Sequence, residues 1–362
     1  AVRKRKVFEQ KTEQKRNQTT GPGPSQYIIK MRKKILVTGG AGYIGSHTVV
    51  ELYQSGYMPI IIDNLCNTSE KNLLGINKIL STNIPFHKID CTDLSQMQNI
   101  FKTYNDIHAC IHFAAYKSVG ESVENPKKYY DNNIGSTEVL LNCLEKSKFK
   151  NLIFSSSCTV YGMPDILPVN EKAPFKKAES PYGETKQKCE ILINSSLCNS
   201  VSLRYFNPIG SHDSGFIGDC SSDNSSNLVP IVTEVACGIR DRLIVNGDDY
   251  DTQDGTCIRD YIHVQDLAVA HVKALDYLLE NKVKEVFNVG TGNGLSVLDI
   301  INTFEEVNNL KVNYNIGPRR SGDIQEIYSD GDKIMNVIGW KADKTINEAL
   351  SSAWNWQKSK NK

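Results

Sequence analysis

Apolar positions fall in short runs, separated by longer stretches in which they recur every three to four residues. Lys34–Thr38 reads as a short buried strand, followed by a glycine-rich turn and a helix over Ser46–Gln54. Met58–Ile62, Ala109–Phe113, Asn151–Phe154 and Val201–Tyr205 repeat the pattern of short apolar, largely β-branched runs. Strands alternating with helical stretches predict an α/β fold with a doubly wound parallel sheet. Beyond about Pro208 the pattern loosens. Ser211–Asn227 is rich in Gly, Ser and Asp and reads as a long loop of the kind that carries function or stays disordered. Val264–Leu279 reads as a helix, Glu285–Val289 as a strand and Val297–Val307 as a helix. A mixed stretch then closes near Trp354 and Trp356, and no internal repeat is visible.

Composition narrows the class. The 362 residues are 40% hydrophobic and 23% charged, and 42 Lys+Arg against 41 Asp+Glu leave a net charge of +1. That balance argues against a nucleic-acid surface, which would carry a basic excess. No apolar run approaches the ~18 residues that span a bilayer, so no membrane partner is expected. The ten cysteines include no C-x-x-C pair, which reads as ordinary thiols in a reducing, cytoplasmic setting. Residues 1–30 stand apart with eight basic and two acidic side chains, a net +6 that leaves −5 for the rest. They lack the apolar core of a secretory signal and read as a disordered basic leader, although Arg3–Lys6 also fits an anionic-surface address.

The first chemical motif is Gly39-Gly40-Ala41-Gly42-Tyr43-Ile44-Gly45, directly after a predicted strand and opening a helix. Gly39 permits a tight turn, Gly42 lets backbone amides approach a pyrophosphate, and Gly45 allows close helix–strand packing. The phosphates then meet the positive end of the helix dipole. Asp63 closes the second strand 18 residues past Gly45. An acidic side chain there accepts hydrogen bonds from the ribose hydroxyls of NAD and repels the extra phosphate of NADP. The pattern is that of a Rossmann-type nucleotide fold. Asp90, after Phe86–Ile89, is placed to contact adenine.

Of 16 tyrosines, only Tyr182 is followed four residues later by a lysine, Lys186. With Pro181 opening a helix, the two side chains share a face. A free phenol titrates near ~10, and lowering that by about 3 units requires roughly 4 kcal/mol of differential stabilisation. A neighbouring lysine and an oxidised nicotinamide both favour the phenolate. Upstream, Ser155-Ser156-Ser157 follow a strand, and Ser157 sits where its hydroxyl shares a substrate proton with Tyr182.

Taken together, these segments resemble the extended short-chain dehydrogenase/reductase family, and within it the nucleotide-sugar 4-epimerases. The resemblance runs from about Lys34 to about Trp356. It rests on VTGGAGYIGSHT (37–48), IIDNLCN (61–67), GESVENP (120–126), YYDNN (129–133), FSSSCTVYG (154–162), SPYGETK (180–186), RYFNPIG (204–210), DGTCIRDYIHV (254–264) and PRRSGD (318–323). It implies reversible C4 epimerisation of UDP-glucose and UDP-galactose through a 4-keto sugar, with a tightly bound NAD that borrows and returns hydride. Tyr182 would be the base, Lys186 its electrostatic partner and a ribose ligand, and Ser157 the proton relay. The cofactor positions implied are Gly39, Gly42, Tyr43, Ile44, Gly45, Asp63, Asn64, Asn67, Asp90, Cys91, Lys117, Asn132 and Lys186. Those implied for the UDP-sugar are Ser157, Tyr182, Asn207, Asn227, Leu228, Arg259, Tyr261, Arg320 and Asp323. Guanidinium forks suit a diphosphate on physical grounds as well.

The implied layout places an NAD-binding Rossmann domain over 31–210, also receiving about 257–290. A smaller mixed α/β UDP-sugar domain takes 211–256 and 291–362, and the resemblance implies a homodimer. Three positions depart from the family pattern. Cys158 stands where Ala is usual, Asn246 where a Phe often stacks on uracil, and Ile327 where either Tyr or a small residue governs N-acetylated sugars. UDP-glucuronate 4-epimerases and other UDP-sugar-modifying relatives stay open as alternatives. The related 4,6-dehydratases carry an Asp-Glu pair where Cys158 and Thr159 stand here, so elimination of water is not expected. No histidine lies at metal-ligand spacing, and His112 and His263 read as packed strand-end residues.

Overall fold

A computed structural model describes residues 32–220, 226–320 and 323–360. The expectation for the basic leader, residues 1–30, lies outside them. Seven strands form one wholly parallel sheet: β1 (Lys34–Thr38), β2 (Met58–Asp63), β3 (Phe86–Lys88), β4 (Ile107–His112), β5 (Asn151–Ser157), β6 (Asn199–Tyr205) and β10 (Lys284–Val289). Their spatial order is β10-β6-β5-β4-β1-β2-β3. The order reverses between β1 and β4, and in open α/β sheets ligands bind in the crevice at that point, beyond the carboxyl ends of the strands.

The strands are buried on both faces because successive residues point to opposite sides, and both sides are apolar. Ile35 and Val37 of β1 pack with Ile61, Ile111 and Leu203 beneath helices Tyr43–Gln54 and Val264–Asn281. Leu36 between them packs on the opposite face with Ile60, Cys110 and Phe154, beneath helices Leu94–Thr103, Gly135–Lys146 and Pro181–Ser195. The expected parallel sheet is thus present, and its strands are longer than their apolar runs suggest. β5 continues through the three serines to Ser157, since its register against β6 runs on from Phe154↔Ser202 to Ser157↔Tyr205.

The remaining strands are shorter. β9 (Ile258–His263) pairs with β11 (Gly294–Ser296), β13 (Glu326–Ile327) and β7 (Asn207–Ile209), while β8 (Leu243–Asn246) pairs with β12 (Tyr314–Gly317). With helices Leu228–Ala236, Val297–Asn308 and Ile346–Lys360 they enclose a second core of Val232, Val245, Ile300, Phe304 and Leu350. β9 carries no apolar run because its interior buries charge. Asp260 is fully buried and accepts hydrogen bonds from Thr291 N and Oγ1, Gly292 N, and Ser329 N and Oγ. Contacts gather Lys33–Lys362 into one compact unit. Among the described residues no helix is long and apolar enough to cross a membrane. The buried cysteines, Cys110, Cys158 and Cys189 among them, are free thiols.

Candidate active site

A cleft of about 510 Å³ opens at the carboxyl ends of β1, β4 and β5. Its floor is the glycine turn. Gly39 has φ +70, and a Cβ there would lie 2.7 Å from Ala114 N. A Cβ on Gly45 would fall 2.2 Å from Gly39 O, so the helix can pass this close to the turn only at glycine. The helix therefore begins at Tyr43, three residues before the expected Ser46, with Ser46 N donating to Gly42 O at 2.9 Å. Gly42 is its N-cap, with no side-chain cap and no acidic residue in the first turn. The first amides of the helix are left for an anion. Asp63 is 9% exposed, and its two oxygens accept from Ala41 N (3.1 Å) and Leu65 N (2.9 Å). Asp90 accepts from Asn64 Nδ2 at 3.1 Å. An uncapped helix start, a Cβ-free turn and a carboxylate at the end of β2 together fit a dinucleotide.

All the residues expected for the cofactor line this cleft: Gly39, Gly42, Tyr43, Ile44, Gly45, Asp63, Asn64, Asn67, Asp90, Cys91, Lys117, Asn132 and Lys186. Asn132 lies in a π-helical turn, Tyr130–Ile134, which the apolar periodicity did not reveal. Such turns recur at functional sites. Its neighbour Asn133 anchors Tyr116 by accepting from its N–H (2.9 Å) and donating to its carbonyl (3.0 Å).

Ser180 caps helix Pro181–Ser195 by accepting from Gly183 N at 3.2 Å. This start places Tyr182 and Lys186 one turn apart, both facing the cleft wall that Ser157 forms. Lys186 is 3% exposed. Its Nζ donates to Ser155 O at 2.6 Å and lies 5.8 Å from the centre of the Tyr182 ring. Burial pulls its pKa down to about 8, which still leaves the ammonium largely protonated at neutral pH.

The expected depression of the Tyr182 pKa is not produced by Lys186. Burial pushes the phenol up to about 12, and the Ser157 hydroxyl offsets only part of that. The ammonium donates to the Ser155 carbonyl, and what acts on the phenol is its burial against the Ser157 hydroxyl. A second positive charge at the phenol is needed for it to act as a base near neutrality.

Across the cleft, Asp323 bridges two arginines. Arg259 Nη2 lies 2.6 Å from Asp323 Oδ1, and Arg320 Nη2 lies 3.2 Å from Oδ2. The trio carries a net positive charge at the cleft wall, with Arg259 shielded from solvent and Arg320 half exposed. Asn207, Asn227, Leu228 and Tyr261 line the same cleft, as do Cys158, Asn246 and Ile327. Asn246 is exposed at the end of β8, whereas Ile327 is 2% exposed in a cluster with Cys158 and Phe206. His112 and His263 are packed. Thr38 Oγ1 lies 2.6 Å from His112 Nδ1, and His263 caps helix Val264–Asn281 by accepting from Gln265 N at 3.0 Å. Among the described residues no group of three His, Cys, Asp or Glu is placed to hold a metal.

Sequence reasoning missed several residues here. Thr159 puts a buried hydroxyl, without a partner among the described residues, at the cleft wall. Asp219, Trp356 and Gln357 also line the cleft, and nothing in their local patterns marks them. Behind the serine strand, Glu190 and Arg204 form a buried two-pronged ion pair at 3.0 and 2.7 Å. Arg204 stands within RYFNPIG, but its partner carried no signal.

Comparison with known proteins follows the same outline. The family model described as GDP-mannose 4,6 dehydratase matches residues 36–353. The chain is 44% identical over 329 residues to the UDP-glucose 4-epimerase of Haemophilus influenzae, covering 90% of this chain and 97% of that protein. It is 42% identical to the human UDP-glucose 4-epimerase over 340 residues, covering 91% and 97%. Among solved structures it is similar to the Bifidobacterium longum UDP-glucose 4-epimerase in complex with NAD⁺ and UDP. The TM-score there is 0.87 at 43% identity, over 91% of this chain and 99% of that one. It is likewise similar to the Stenotrophomonas maltophila enzyme with bound NAD and formylated UDP-arabinopyranose, with a TM-score of 0.88 at 41% identity over 91% and 99%.

Proposed function

We infer the reaction from the family to which this chain belongs, the UDP-glucose 4-epimerases of the extended short-chain dehydrogenase/reductases. The protein is an NAD-dependent isomerase that interconverts UDP-glucose and UDP-galactose by inverting C4. The observation that carries this reading is the meeting of the glycine turn, the Tyr182–Lys186–Ser157 group and the Arg259–Asp323–Arg320 bridge in one cleft. The matched family model bears a dehydratase's name, but Cys158 and Thr159 offer no carboxylate to drive elimination.

In the proposed division of labour, Gly39, Gly42, Gly45 and the helix start hold the pyrophosphate of NAD, and Asp63 its adenosine ribose. Asn64, Asn67, Asp90, Cys91, Lys117 and Asn132 complete that half, which belongs to residues 31–210 with 257–290. The segments 211–256 and 291–362 supply most of the UDP-sugar half. NAD held there would supply a reversible hydride acceptor for the sugar C4, and the positive charge of its oxidised ring would help offset the burial of the Tyr182 phenolate. Tyr182 takes the proton of the sugar 4-hydroxyl, with Ser157 sharing it, and gives it back when the 4-keto sugar is reduced. Lys186 braces the Ser155 carbonyl and holds the nicotinamide ribose. Arg259 and Arg320, held side by side by Asp323, grip the diphosphate, and Asn207, Asn227, Leu228 and Tyr261 hold the remainder of the nucleotide-sugar. This firm grip on UDP leaves the sugar free to present either face. A cytoplasmic location is proposed on the buried thiols, and a homodimer on the family resemblance.

The direct test incubates the purified protein with UDP-galactose and no added reductant. UDP-glucose is expected to accumulate to equilibrium, and its absence from protein verified to hold NAD would overturn the reading. Asp63→Ala is expected to cost about tenfold in discrimination between NAD and NADP, since a charge-assisted hydrogen bond and a repulsion vanish together. Competitive binding of the two cofactors measures it, and an unchanged ratio assigns ribose recognition elsewhere.

A further inference from the structure

The segment from Gly210 to Cys220 contains neither helix nor strand, yet it is tied down along its whole length. Its anchor is Asn72, a fully buried residue in the first turn of helix Lys71–Leu80. Asn72 Nδ2 donates to Ala41 O at 3.0 Å and to Gly218 O at 3.1 Å, and its Oδ1 accepts from Gly218 N at 3.2 Å. Ala41 lies inside the glycine turn. A single amide therefore joins the turn, the helix and the crossing segment, with both donors used.

The surroundings are shaped to let the segment lie flat. A Cβ on Gly75 would fall 2.1 Å from Phe216 O, and one on Gly218 would fall 2.5 Å from the Trp356 ring. Tyr43 donates to Gly210 O at 2.6 Å, and Trp356 Nε1 to Asp219 O at 3.1 Å. Lys117 Nζ reaches Asp219 Oδ2 at 3.4 Å. Gly210, Asp219 and Trp356 line the cleft beside Gly39 and Gly42, so the segment walls the phosphate end of the nucleotide site.

We propose that Asn72 is a positioning residue that clamps this strap across the glycine turn and thereby keeps NAD in the protein through the catalytic cycle. The inference rests on the NAD-dependent reading above. An epimerase must return to the sugar the hydrogen it removed, so a reduced cofactor that escapes midway leaves a stranded ketone. A nucleotide site shut by a pinned strap suits that demand, whereas a net oxidoreductase exchanges its cofactor every turnover.

The test compares the full-length protein with Asn72→Ala and Gly218→Ala, measuring NAD retained through desalting, its dissociation rate, and turnover with and without added NAD. The unsubstituted protein is expected to keep its NAD. Each variant is expected to lose NAD at least about tenfold faster, as follows from breaking buried hydrogen bonds. Saturating NAD restores turnover in both, which a general loss of structure would not allow. Gly218→Ala lifts the strap from the Trp356 side and decides the matter by itself if Asn72→Ala does not fold. Retention equal to the unsubstituted protein in the folded variants overturns the clamp, and so does a loss of turnover that NAD cannot restore. If the unsubstituted protein itself retains no NAD, the resident-cofactor reading fails first, and this failure is seen before any variant is made.

Discussion

Tyr182→Phe keeps the fold and its NAD and loses about 10³-fold in kcat, within the range that a positioned general base contributes. The ring stays because its packing beside Ser157 and the helix Pro181–Ser195 is unchanged by removal of one oxygen. What is lost is the hydroxyl of the only tyrosine in the sequence that is followed four residues later by a lysine. Single-turnover reduction of bound NAD by UDP-galactose isolates the affected step. NAD content measured in parallel separates a chemical defect from a cofactor defect. Near-normal turnover would overturn the assignment of the base. The rate is also expected to rise with pH below neutrality. The protein by itself holds the phenol at about 12, so the base form appears only when a second cation lowers that value.

Arg204→Met lowers the stability of the protein by about 3–5 kcal/mol, the usual consequence of leaving one half of a buried ion pair alone. Arg204 and Glu190 each expose only 6% of their side chains. Glu190 also accepts from Ser156, and Arg204 Nη1 donates to Tyr161 at 2.9 Å, which in turn donates to Asn288 at 2.6 Å. The pair thus ties helix Pro181–Ser195 to β5 and β6, the elements that carry Tyr182, Lys186 and Ser157. Thermal unfolding measures the loss. A paired Arg204→Met/Glu190→Leu variant recovers most of it, because no uncompensated charge remains. An unshifted transition in the single variant would show that water reaches Glu190.

Much of this architecture was legible because its causes are local. A run such as KILVT buries both faces of a strand wherever it sits, and the glycine turn carries its conformational demand in its own residues. The Pro181 start and the four-residue spacing by themselves put Tyr182 and Lys186 on one face. The reading failed where neighbours far along the chain decide. Of β9 only the strand end at His263 is legible, since Arg259 and Asp260 look solvent-exposed until Ser329 and Thr291 arrive to satisfy the carboxylate. Ser155–Ser157 read as following a strand, and only the register with β6 makes them part of it.

The amino-acid sequence alone determined the parallel sheet, the nucleotide turn and the placing of Tyr182 and Lys186 on one helix face, because backbone sterics and side-chain period act over a few residues. Tertiary structure alone decided the electrostatic state of the phenol, the closure of Asp323 on two arginines and the strap that Asn72 pins from 146 residues away. Burial and long-range hydrogen bonding depend on which distant groups meet, and no local pattern encodes that meeting.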